Sequence, residues 1–518
     1  MQLNKVFRVP CLSYSQKVLW LLFALSVLRI TFAFTLELAN DESYYWLFAQ
    51  HLKWNYFDHP PMIALWLRIF SLNLTFQAPG FLRIGSIVSC CIASWFMFKA
   101  VSLLSNERAG WFAVCMYNAS FYSGITAGFL VMPDAPQMVF WTLSLWMISK
   151  LTIDDKLINW IAVGVSIGLC IMSKVHGVFL WIGLGLFAIL YKRKWFAKPG
   201  FYISFLITAI ICLPIIFWNV KYNFATYSFN SARIDLYGSK IDWRSYFYQA
   251  SQEIGLNNPF NVLILVIALF TWKKFQLSTI SALKIFNLVG LPFAIILLYI
   301  PLFRQNILPH WSGPAYVSLI PLAAIAFDKI RRPVLLPKLI GVTMINYVLY
   351  LTLCSLFILY FPGTISKSST PRTGTKDLSI DFYGWKEGGE KFDSIYNTDV
   401  SNKVVPSNTP VICDEWWGAH IEYYFCFPSN IKMIGLGKMM DIHEYLWMNL
   451  LRKNTVNLAN AYCVISSDEY YNPKVAYKDY YSNISFVKDI SVLRNGKNAH
   501  NFYVYRLSGW KGNLPVEN

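Results

Sequence analysis

The stretch FYISFLITAIICLPIIFWNV, residues 201–220, contains no charged side chain. A helix of this length spans the roughly 30 Å hydrocarbon core of a bilayer. The whole chain of 518 residues has a similar character, with 56% hydrophobic residues, 14% charged residues and a mean hydropathy of +0.41. Soluble domains carry about 25% charged residues. This composition excludes a cytosolic enzyme, a fibrous protein and a disordered chain.

Similar apolar segments recur along most of the chain. They lie at 18–36, 82–104, 110–129, 137–150, 157–172, 177–190, 201–220, 259–272, 283–301, 312–328 and 338–361. Several are short for a bilayer core, so the number of membrane-spanning helices is defined to within about one. We therefore predict a polytopic α-helical membrane protein with about 11–13 transmembrane helices.

The basic residues predict an orientation for these helices. Residues 1–361 carry 28 Lys and Arg against 12 Asp and Glu, which accounts for +16 of the formal charge of +17. Basic loops favour the cytoplasmic side, and we find no nucleic-acid-binding motif to explain the excess. The more basic set of helix ends includes Lys5, Arg8, Lys192, Arg331 and Arg332. This set predicts a cytoplasmic N-terminus and an external location for residues 362–518.

The chain changes character after Phe361. A linker rich in Gly, Ser, Thr and Pro, residues 363–375, precedes short β-like runs such as Pro410–Cys413 and Tyr462–Ile465. A helical pattern follows the first of these runs, near residues 439–452. We predict a transmembrane domain at 1–361 and a small extracytoplasmic α/β domain at 362–518. In an oxidising compartment, Cys413 and Cys426 would be the nearest pair for a disulfide.

Four charged residues stand near the predicted outer ends of apolar segments. They are Asp41, Asp58, Asp134 and Lys174. Unpaired charge near hydrocarbon is costly, so such residues are candidates for a functional site. A structural alternative exists for each, because an acid can cap a helix or pair with a neighbour. Asp58 and Asp134 stand beside prolines, which restrict the backbone and suit a preorganised site.

Other polar residues leave two interpretations open. His51, His59 and His176 are potential metal ligands, but no HxxxH or HExxH spacing supports a metal site. The basic residues of the predicted outer loop at 221–258 either bind phosphate or only solvate the loop; they include Arg233, Lys240 and Arg244. His310 and Trp311 precede an apolar segment and can cover the same cavity.

These motifs together resemble a known family. The segments DESYYW (41–46), YFDHPP (56–61), MPDAP (132–136) and SKVHG (173–177) resemble membrane glycosyltransferases of the GT-C fold. The closest groups are the lipid A aminoarabinose transferases and bacterial members of the protein O-mannosyltransferase superfamily. LPHWSGPAY (308–316) and DFYGWKEGGEKF (381–392) are also similar to bacterial members. The resemblance covers most of 37–330 and, more weakly, the tail.

The resemblance implies an inverting transfer of sugar from a polyprenyl phosphate, at the outer face of a bacterial inner membrane. The implied acceptor is lipid A or another lipopolysaccharide component. Asp41 would be the general base, and Asp58 would lie near the donor phosphate, where relatives can hold a divalent metal. Lys174 and Arg233 would bind the donor phosphate. The remaining residues that the resemblance assigns to substrate binding are Glu42, Tyr45, His59, Asp134 and His310.

The sequence departs from the family at two places. The aminoarabinose transferases carry an Arg shortly after the first acids, where this chain has Tyr44. Some relatives have a metal-binding His in the long loop, whereas residues 227–231 contain none. Three other functions stay open: protein O-glycosylation, a lipid or sugar transporter or flippase, and a structural assembly protein that works through its tail.

Overall fold

The structure is a computed structural model that describes residues 12–234, 241–304, 307–330, 335–512 and 514–515. The chain divides into two compact units. Unit 1 comprises 1–31, 83–224 and 230–349, and unit 2 comprises 32–82, 225–229 and 350–518. The first predicted outer loop therefore groups with the tail, and the boundary at 361/362 stays a prediction. Lys5, Arg8, Lys240, Arg331 and Arg332 lie outside the described residues.

Fifteen helices come before the tail in the described part of the chain. They are α1 (Tyr14–Ala33), α2 (Asn40–Gln50), α3 (Met62–Phe70), α4 (Pro79–Leu104), α5 (Glu107–Ala119), α6 (Asp134–Ile153), α7 (Leu157–Ser173), α8 (Val178–Tyr191), α9 (Pro199–Lys221), α10 (Ala225–Ile234), α11 (Trp243–Leu256), α12 (Pro259–Phe270), α13 (Ser281–Tyr299), α14 (Gly313–Lys329) and α15 (Leu335–Tyr360).

Each of the eleven apolar segments contains a helix, so the helical fold class is confirmed. Across the described ranges, five helices are long and apolar enough to cross a membrane, or six if the bent pair α11 and α12 forms one span. Shorter apolar helices such as α7 and α8 accompany them. The chain is a multi-pass membrane protein, while the number of spans and their orientation stay predictions.

Close helix contacts in unit 1 depend on small residues. A Cβ atom on Gly164 of α7 would lie 2.4 Å from the carbonyl oxygen of Ser204 on α9. The hydroxyl of Thr208 donates to the Gly164 carbonyl at 2.8 Å and accepts the indole N–H of Trp181 at 3.1 Å. Small residues allow the backbones of apolar helices to approach, and such polar contacts then hold them together.

A buried arginine connects three other elements of unit 1. Arg29 of α1 donates through Nε to the Gly124 carbonyl at 3.1 Å and to the Tyr347 hydroxyl of α15 at 3.0 Å. Its Nη2 donates to Asn118 Oδ1 at 3.3 Å. Gly124 lies in the π-helical turn Tyr122–Thr126 that follows α5. Arg29 therefore holds the turn that carries Tyr122.

The tail forms helices on a mixed five-stranded sheet. Its helices are α16 (Trp385–Ser401), α17 (Gly418–Ile421), α18 (Met439–Ile442), α19 (Tyr445–Arg452) and α20 (Pro473–Ala476). Its strands are β1 (Val411–Cys413), β2 (Met433–Gly435), β3 (Asn460–Ser466), β4 (Tyr481–Arg494) and β5 (Lys497–Trp510). The strand order is β2-β1-β3-β5-β4. Both predicted β-like runs and the predicted helical region occur, which confirms the small α/β domain.

Strand pairing in the sheet is parallel on one side and antiparallel on the other. Val411 pairs in parallel with Met433 and Tyr462, whereas Cys463 pairs with Tyr505 in antiparallel fashion. The hairpin between β4 and β5 turns at Asn495 and Gly496, with φ of +47° and +77°. Two successive positive φ angles are what a two-residue type I′ turn requires.

The disulfide considered between Cys413 and Cys426 does not form. Both residues are buried free thiols. Cys413 lies in β1, where its Sγ is 3.9 Å from the Ile434 carbonyl oxygen on the adjacent strand. Gly418 covers the same sulfur, because a Cβ at that glycine would lie 2.5 Å from it. The sulfur is thus packed into the sheet core as a small apolar group.

We expect Arg29→Met to destabilise unit 1. The substitution leaves Asn118 Oδ1 with only the weak Cys90 thiol as a donor, at a cost of about 1–3 kcal/mol, whereas the Gly124 carbonyl keeps the Tyr347 hydroxyl. Thermal unfolding in detergent should show a Tm roughly 3–6 °C below wild type. Thr31→Val is the control, because Thr31 is exposed on α1 and bonds the Val27 carbonyl of its own helix. Equal Tm values for both variants would contradict this role of Arg29.

Candidate active site

The first acids of unit 2 lie in the first turn of α2. Asp41 is exposed, whereas Glu42 is fully buried. The Glu42 carboxylate accepts the backbone N–H of Ala39 at 2.9 Å. This bond satisfies a backbone group at the helix start. Glu42, a predicted substrate-binding residue, therefore has a structural task, while the role predicted for exposed Asp41 stays a prediction.

Asp58 lies against side chains that project one turn further along α2. The Tyr44 hydroxyl donates to Asp58 Oδ1 at 3.4 Å, and the Tyr45 ring lies 5.6 Å from that of His59. Residues three and four apart share a helix face, so Tyr44 and Tyr45 follow Asp41 on one side of α2. Burial, together with Asp58, raises the pKa of Tyr44 well above its usual range, which keeps this phenol a hydrogen-bond donor.

A rigid turn carries Asp58. The N–H of Tyr56 donates to the His59 carbonyl at 3.0 Å. The Tyr56 ring stacks on Phe48 of α2 at 4.0 Å, and its hydroxyl donates to the Phe48 carbonyl at 2.8 Å. Pro60 and Pro61 then lead into α3. The proline-based expectation of a fixed turn is confirmed by these contacts.

Glu444 of the tail, which no sequence motif predicted, supports the same turn. Its side chain is buried, forms an ion pair with Lys53 and accepts the N–H of Phe57 at 3.3 Å. Burial raises the pKa of Glu444, and Lys53 opposes that effect. Rings next to it form an aromatic wall, with His443 4.8 Å from Phe57 and 5.8 Å from Trp416. No local pattern near residue 444 points to this role.

A second group of predicted site residues lies in unit 1. Lys174 Nζ and Asp134 Oδ2 form an ion pair at 2.8 Å, with side chains only 3% and 0% exposed. The Tyr122 hydroxyl donates to the other Asp134 oxygen at 2.8 Å. Asp134 begins α6, and Lys174 immediately follows α7. Asp134 therefore neutralises the charge of Lys174, and the two side chains form one buried ion pair.

Two more polar residues, Arg233 and His310, belong to the same region of unit 1. The Arg233 guanidinium lies 4.8 Å from the centre of the Trp311 ring. Burial lowers the pKa of His310 to about 4, and Lys174 acts in the same direction while Asp134 opposes it. His310 is thus neutral at neutral pH. Asp134, Lys174 and Arg233 thus all act electrostatically on His310 within unit 1, while their shared role in substrate binding stays a prediction.

Arg244 has a different setting from Arg233. It lines a cavity of about 590 Å³ beside α11, together with Tyr248, Gln252 and Arg304. Asp242 at the same place caps α11 by accepting the backbone N–H groups of Arg244 and Ser245.

Whether the candidate residues of the two units form one pocket, as we expect from the sequence, stays a prediction.

The donor set at Asp58 does not form a closed metal site made of protein ligands alone. His59 Nε2 lies 3.9 Å from Asp58 Oδ2, and no group of three His, Cys, Asp or Glu side chains suited to a metal is found in the part of the chain that the structure describes. Protein metal sites of this kind usually supply at least three ligands. We derive no step through a metal.

Comparison with solved structures identifies the fold. ArnT from Cupriavidus metallidurans, in its apo state, superposes with a TM-score of 0.66 at 13% identity, covering 95% of this chain and 98% of that chain. The chain has the GT-C fold. ArnT bound to undecaprenyl phosphate gives a TM-score of 0.63 at 14% identity, covering 94% and 97% of the two chains. The archaeal oligosaccharyltransferase AglB from Archaeoglobus fulgidus gives 0.51 at 12% identity, covering 94% and 74%.

Sequence comparisons match shorter parts of this GT-C chain. Residues 58–218 match the family model described as dolichyl-phosphate-mannose-protein mannosyltransferase. That range includes Asp58, Asp134 and Lys174. The lipid A galacturonosyltransferase RgtD of Rhizobium johnstonii is 23% identical over 187 residues, which are 36% of this chain. The match spans 39% of the length of RgtD.

Removal of one partner of the buried ion pair in unit 1 should strongly destabilise the protein. We expect Asp134→Asn to lower the free energy of unfolding by about 3–5 kcal/mol, because it leaves Lys174 buried without its counterion. The double variant D134N/K174M should lose less free energy of unfolding than the two single variants lose in sum. Thermal and denaturant unfolding in detergent measure both effects.

Asp154→Asn is the matched control for this cycle. Asp154 also pairs with a lysine at 2.8 Å, but Lys156 and Asp154 are 71% and 48% exposed. Exposed pairs contribute about 0–1 kcal/mol, so this change should be nearly neutral. Similar losses in D134N and D154N, or full additivity in the double variant, would show that the buried pair is not coupled as described.

Proposed function

We propose that the chain is an inverting glycosyltransferase that moves a sugar from a polyprenyl-phosphate donor to a lipid acceptor at the outer face of a bacterial inner membrane. The acceptor that we favour is lipid A. The N-terminus would then be cytoplasmic, and the tail would be periplasmic. Membrane lipids would surround both the donor and the acceptor, and no nucleic acid takes part.

Similar proteins support the substrate classes. The RgtD relative is named for transfer of galacturonic acid to lipid A, and one ArnT structure contains undecaprenyl phosphate. Both names fit an acceptor or a donor that is a lipid. The family model that matches 58–218 instead names a protein acceptor, so protein O-glycosylation is the alternative that the experiment must separate.

The observation that carries the proposal is the arrangement of carboxylates in unit 2. Asp41 is exposed at the start of α2, and Asp58 lies on a turn held by Tyr44, Tyr56 and Glu444. An inverting transfer needs one carboxylate that accepts the proton of the nucleophile, on the face opposite the leaving group. We assign this role to Asp41 and the donor side to Asp58, where Tyr45 and His59 would contact substrate.

The leaving lipid phosphate requires positive charge. Arg233 is our choice for this contact, because its guanidinium is held over Trp311 at 4.8 Å and carries a charge at every physiological pH. Lys174 would add its positive charge from within the buried ion pair that its ammonium forms with Asp134 at 2.8 Å. Charge-assisted hydrogen bonds to the departing phosphate would stabilise the negative charge that develops there.

We expect Asp41→Asn and Asp58→Asn each to abolish sugar transfer without loss of the protein from the membrane. Mass spectrometry of lipid A from cells with and without the protein should show a difference of one sugar unit, which both variants remove. Asp489→Asn serves as the matched control, because it makes the same chemical change at an exposed position of β4.

The other outcomes separate the alternatives. Unchanged lipid A together with altered glycoproteins would replace the lipid acceptor by a protein. Full activity of both D41N and D58N would remove these carboxylates from the mechanism. Loss of donor lipid from the outer leaflet, with no glycosylated product in any fraction, would favour the transporter.

A further inference from the structure

The chain that leads into Asp41 is held by residues of the tail. Residues 37–40, which we call the docked segment, connect α1 to α2. The N–H of Leu38 donates to the Tyr424 hydroxyl at 2.6 Å, and the Leu38 carbonyl accepts a hydrogen bond from His420 Nε2 at 2.7 Å. Leu38 is fully buried. The backbone on both sides of this residue is therefore held within unit 2.

Glu37 provides a second attachment of the docked segment. Its carboxylate accepts the N–H groups of Trp385 and Lys386 at 2.7 and 3.4 Å. Trp385 is the first residue of α16, so this carboxylate lies at a helix N-terminus, where negative charge is favoured. Burial nevertheless raises the pKa of Glu37 to about 7.

Asp381 provides the attachment closest to Asp41. The N–H of Asn40, the first residue of α2, donates to Asp381 Oδ1 at 3.1 Å. The preceding residue, Ala39, has no side-chain acceptor that could cap the helix. Asp381 therefore caps α2 from 341 residues away along the chain. The bond that it forms is one residue from Asp41.

The groups that face Asp381 are mostly acids. Asp41 and Glu42 approach from α2, and Asp468 approaches from the loop after β3. Burial, with these acids, raises the pKa of Asp381 to about 8. Its side chain is still 39% exposed, so solvent screens part of this effect. The remaining neighbour is His420, whose Nδ1 lies 3.8 Å from Asp381 Oδ1.

His420 does not neutralise Asp381. Its Nε2 bonds a carbonyl oxygen and must carry the hydrogen, so Nδ1 holds a lone pair in the neutral ring. The ring is buried, stacks on Trp385 at 3.6 Å, and has its pKa lowered by burial to about 3. Helix capping alone would need only a neutral acceptor such as Ser or Asn. Asp381 supplies this acceptor and also places its carboxyl group next to Asp41, Glu42 and Asp468.

We propose that Asp381 is a positioning residue for Asp41. It anchors the first turn of α2 through Asn40, and its own charge sets the electrostatic potential at the Asp41 carboxylate. This inference depends on the proposed function, because it assigns Asp41 to the base. Loss of the anchor displaces the Asp41 carboxylate. A charge on Asp381 repels both Asp41 and an anionic donor.

The experiment compares Asp381→Asn with Asp381→Ala in purified full-length protein. The assay uses undecaprenyl-phosphate-linked galacturonic acid or aminoarabinose as donor and lipid A as acceptor, over pH 6 to 9. D381A should lose roughly tenfold in kcat with little change in KM, because a small misplacement of a reacting group costs this much. D381N keeps the acceptor for Asn40, so its kcat near pH 6.5 should stay close to wild type.

The pH profile separates positioning from a purely structural role. Wild-type activity should fall as Asp381 ionises above neutral pH, and D381N should lack this fall. The stability of D381N relative to wild type should also change with pH in a defined direction. A carboxyl whose pKa is raised on folding loses stabilisation as pH rises from about 4 to 8. The Tm of D381N relative to wild type should therefore increase between pH 5 and pH 8.

Hydrogen exchange gives a readout that does not depend on the sugar. Peptides that cover 37–45 should exchange faster in D381A than in D381N, whose amide oxygen can still accept the Asn40 N–H. Glu387→Gln is the control, since Glu387 forms an exposed i,i+4 pair with Lys391 on α16. It should change neither activity nor exchange.

Each result decides one of the two proposals. A wild-type protein that transfers no sugar overturns the proposed function, while the exchange data still decide whether Asp381 anchors α2. An active wild type with D381A and D381N indistinguishable from it, in kcat and in pH profile, overturns the role of Asp381. Equal loss in both variants at every pH would reduce Asp381 to a structural residue and would also overturn it.

Discussion

Charge that is removed from water must find a partner, and this constraint organises both units. The side chains of Asp134 and Lys174 are buried together at 2.8 Å, and Lys53 pairs with buried Glu444. Arg29 meets carbonyl and hydroxyl oxygens instead. Breaking such a contact leaves a buried charge, which costs far more than an exposed pair is worth. These side chains therefore fix the turns and helix ends on which they lie.

The two sets of candidate residues use this constraint differently. In unit 1 the charges of Asp134 and Lys174 neutralise one another in a buried ion pair. In unit 2 hydrogen bonds hold two of the acids in place: the Tyr44 hydroxyl donates to Asp58, and the Asn40 N–H donates to Asp381. These hydrogen bonds fix the position of each carboxyl group in the fold. Preorganisation of this kind avoids reorganisation during a reaction.

The sequence was informative wherever the signal was local. Apolar runs predicted the helices, the β-like runs at 410–413 and 462–465 predicted strands, and the prolines after Asp58 predicted a fixed turn. Residues that act over long separations gave no such signal. Asp381 and Glu444 contact the first loop across 341 and 387 residues. No periodicity or spacing reveals such pairs, although DFYGWKEGGEKF was already noted for its resemblance. Conversely, Glu42 drew attention as an acid, yet its carboxylate completes a helix start.

The docked segment also has a consequence for biosynthesis. Leu38 and Asn40 receive their partners from Tyr424 and Asp381, which the ribosome adds several hundred residues later. A nascent chain therefore contains its first loop long before that loop can reach its final conformation. Until translation ends, exposed backbone there is open to proteases and chaperones. A chain that ends before Asp381 would contain the docked segment without any of these partners, and the backbone N–H groups of Leu38 and Asn40 would lose the acceptors that the tail provides.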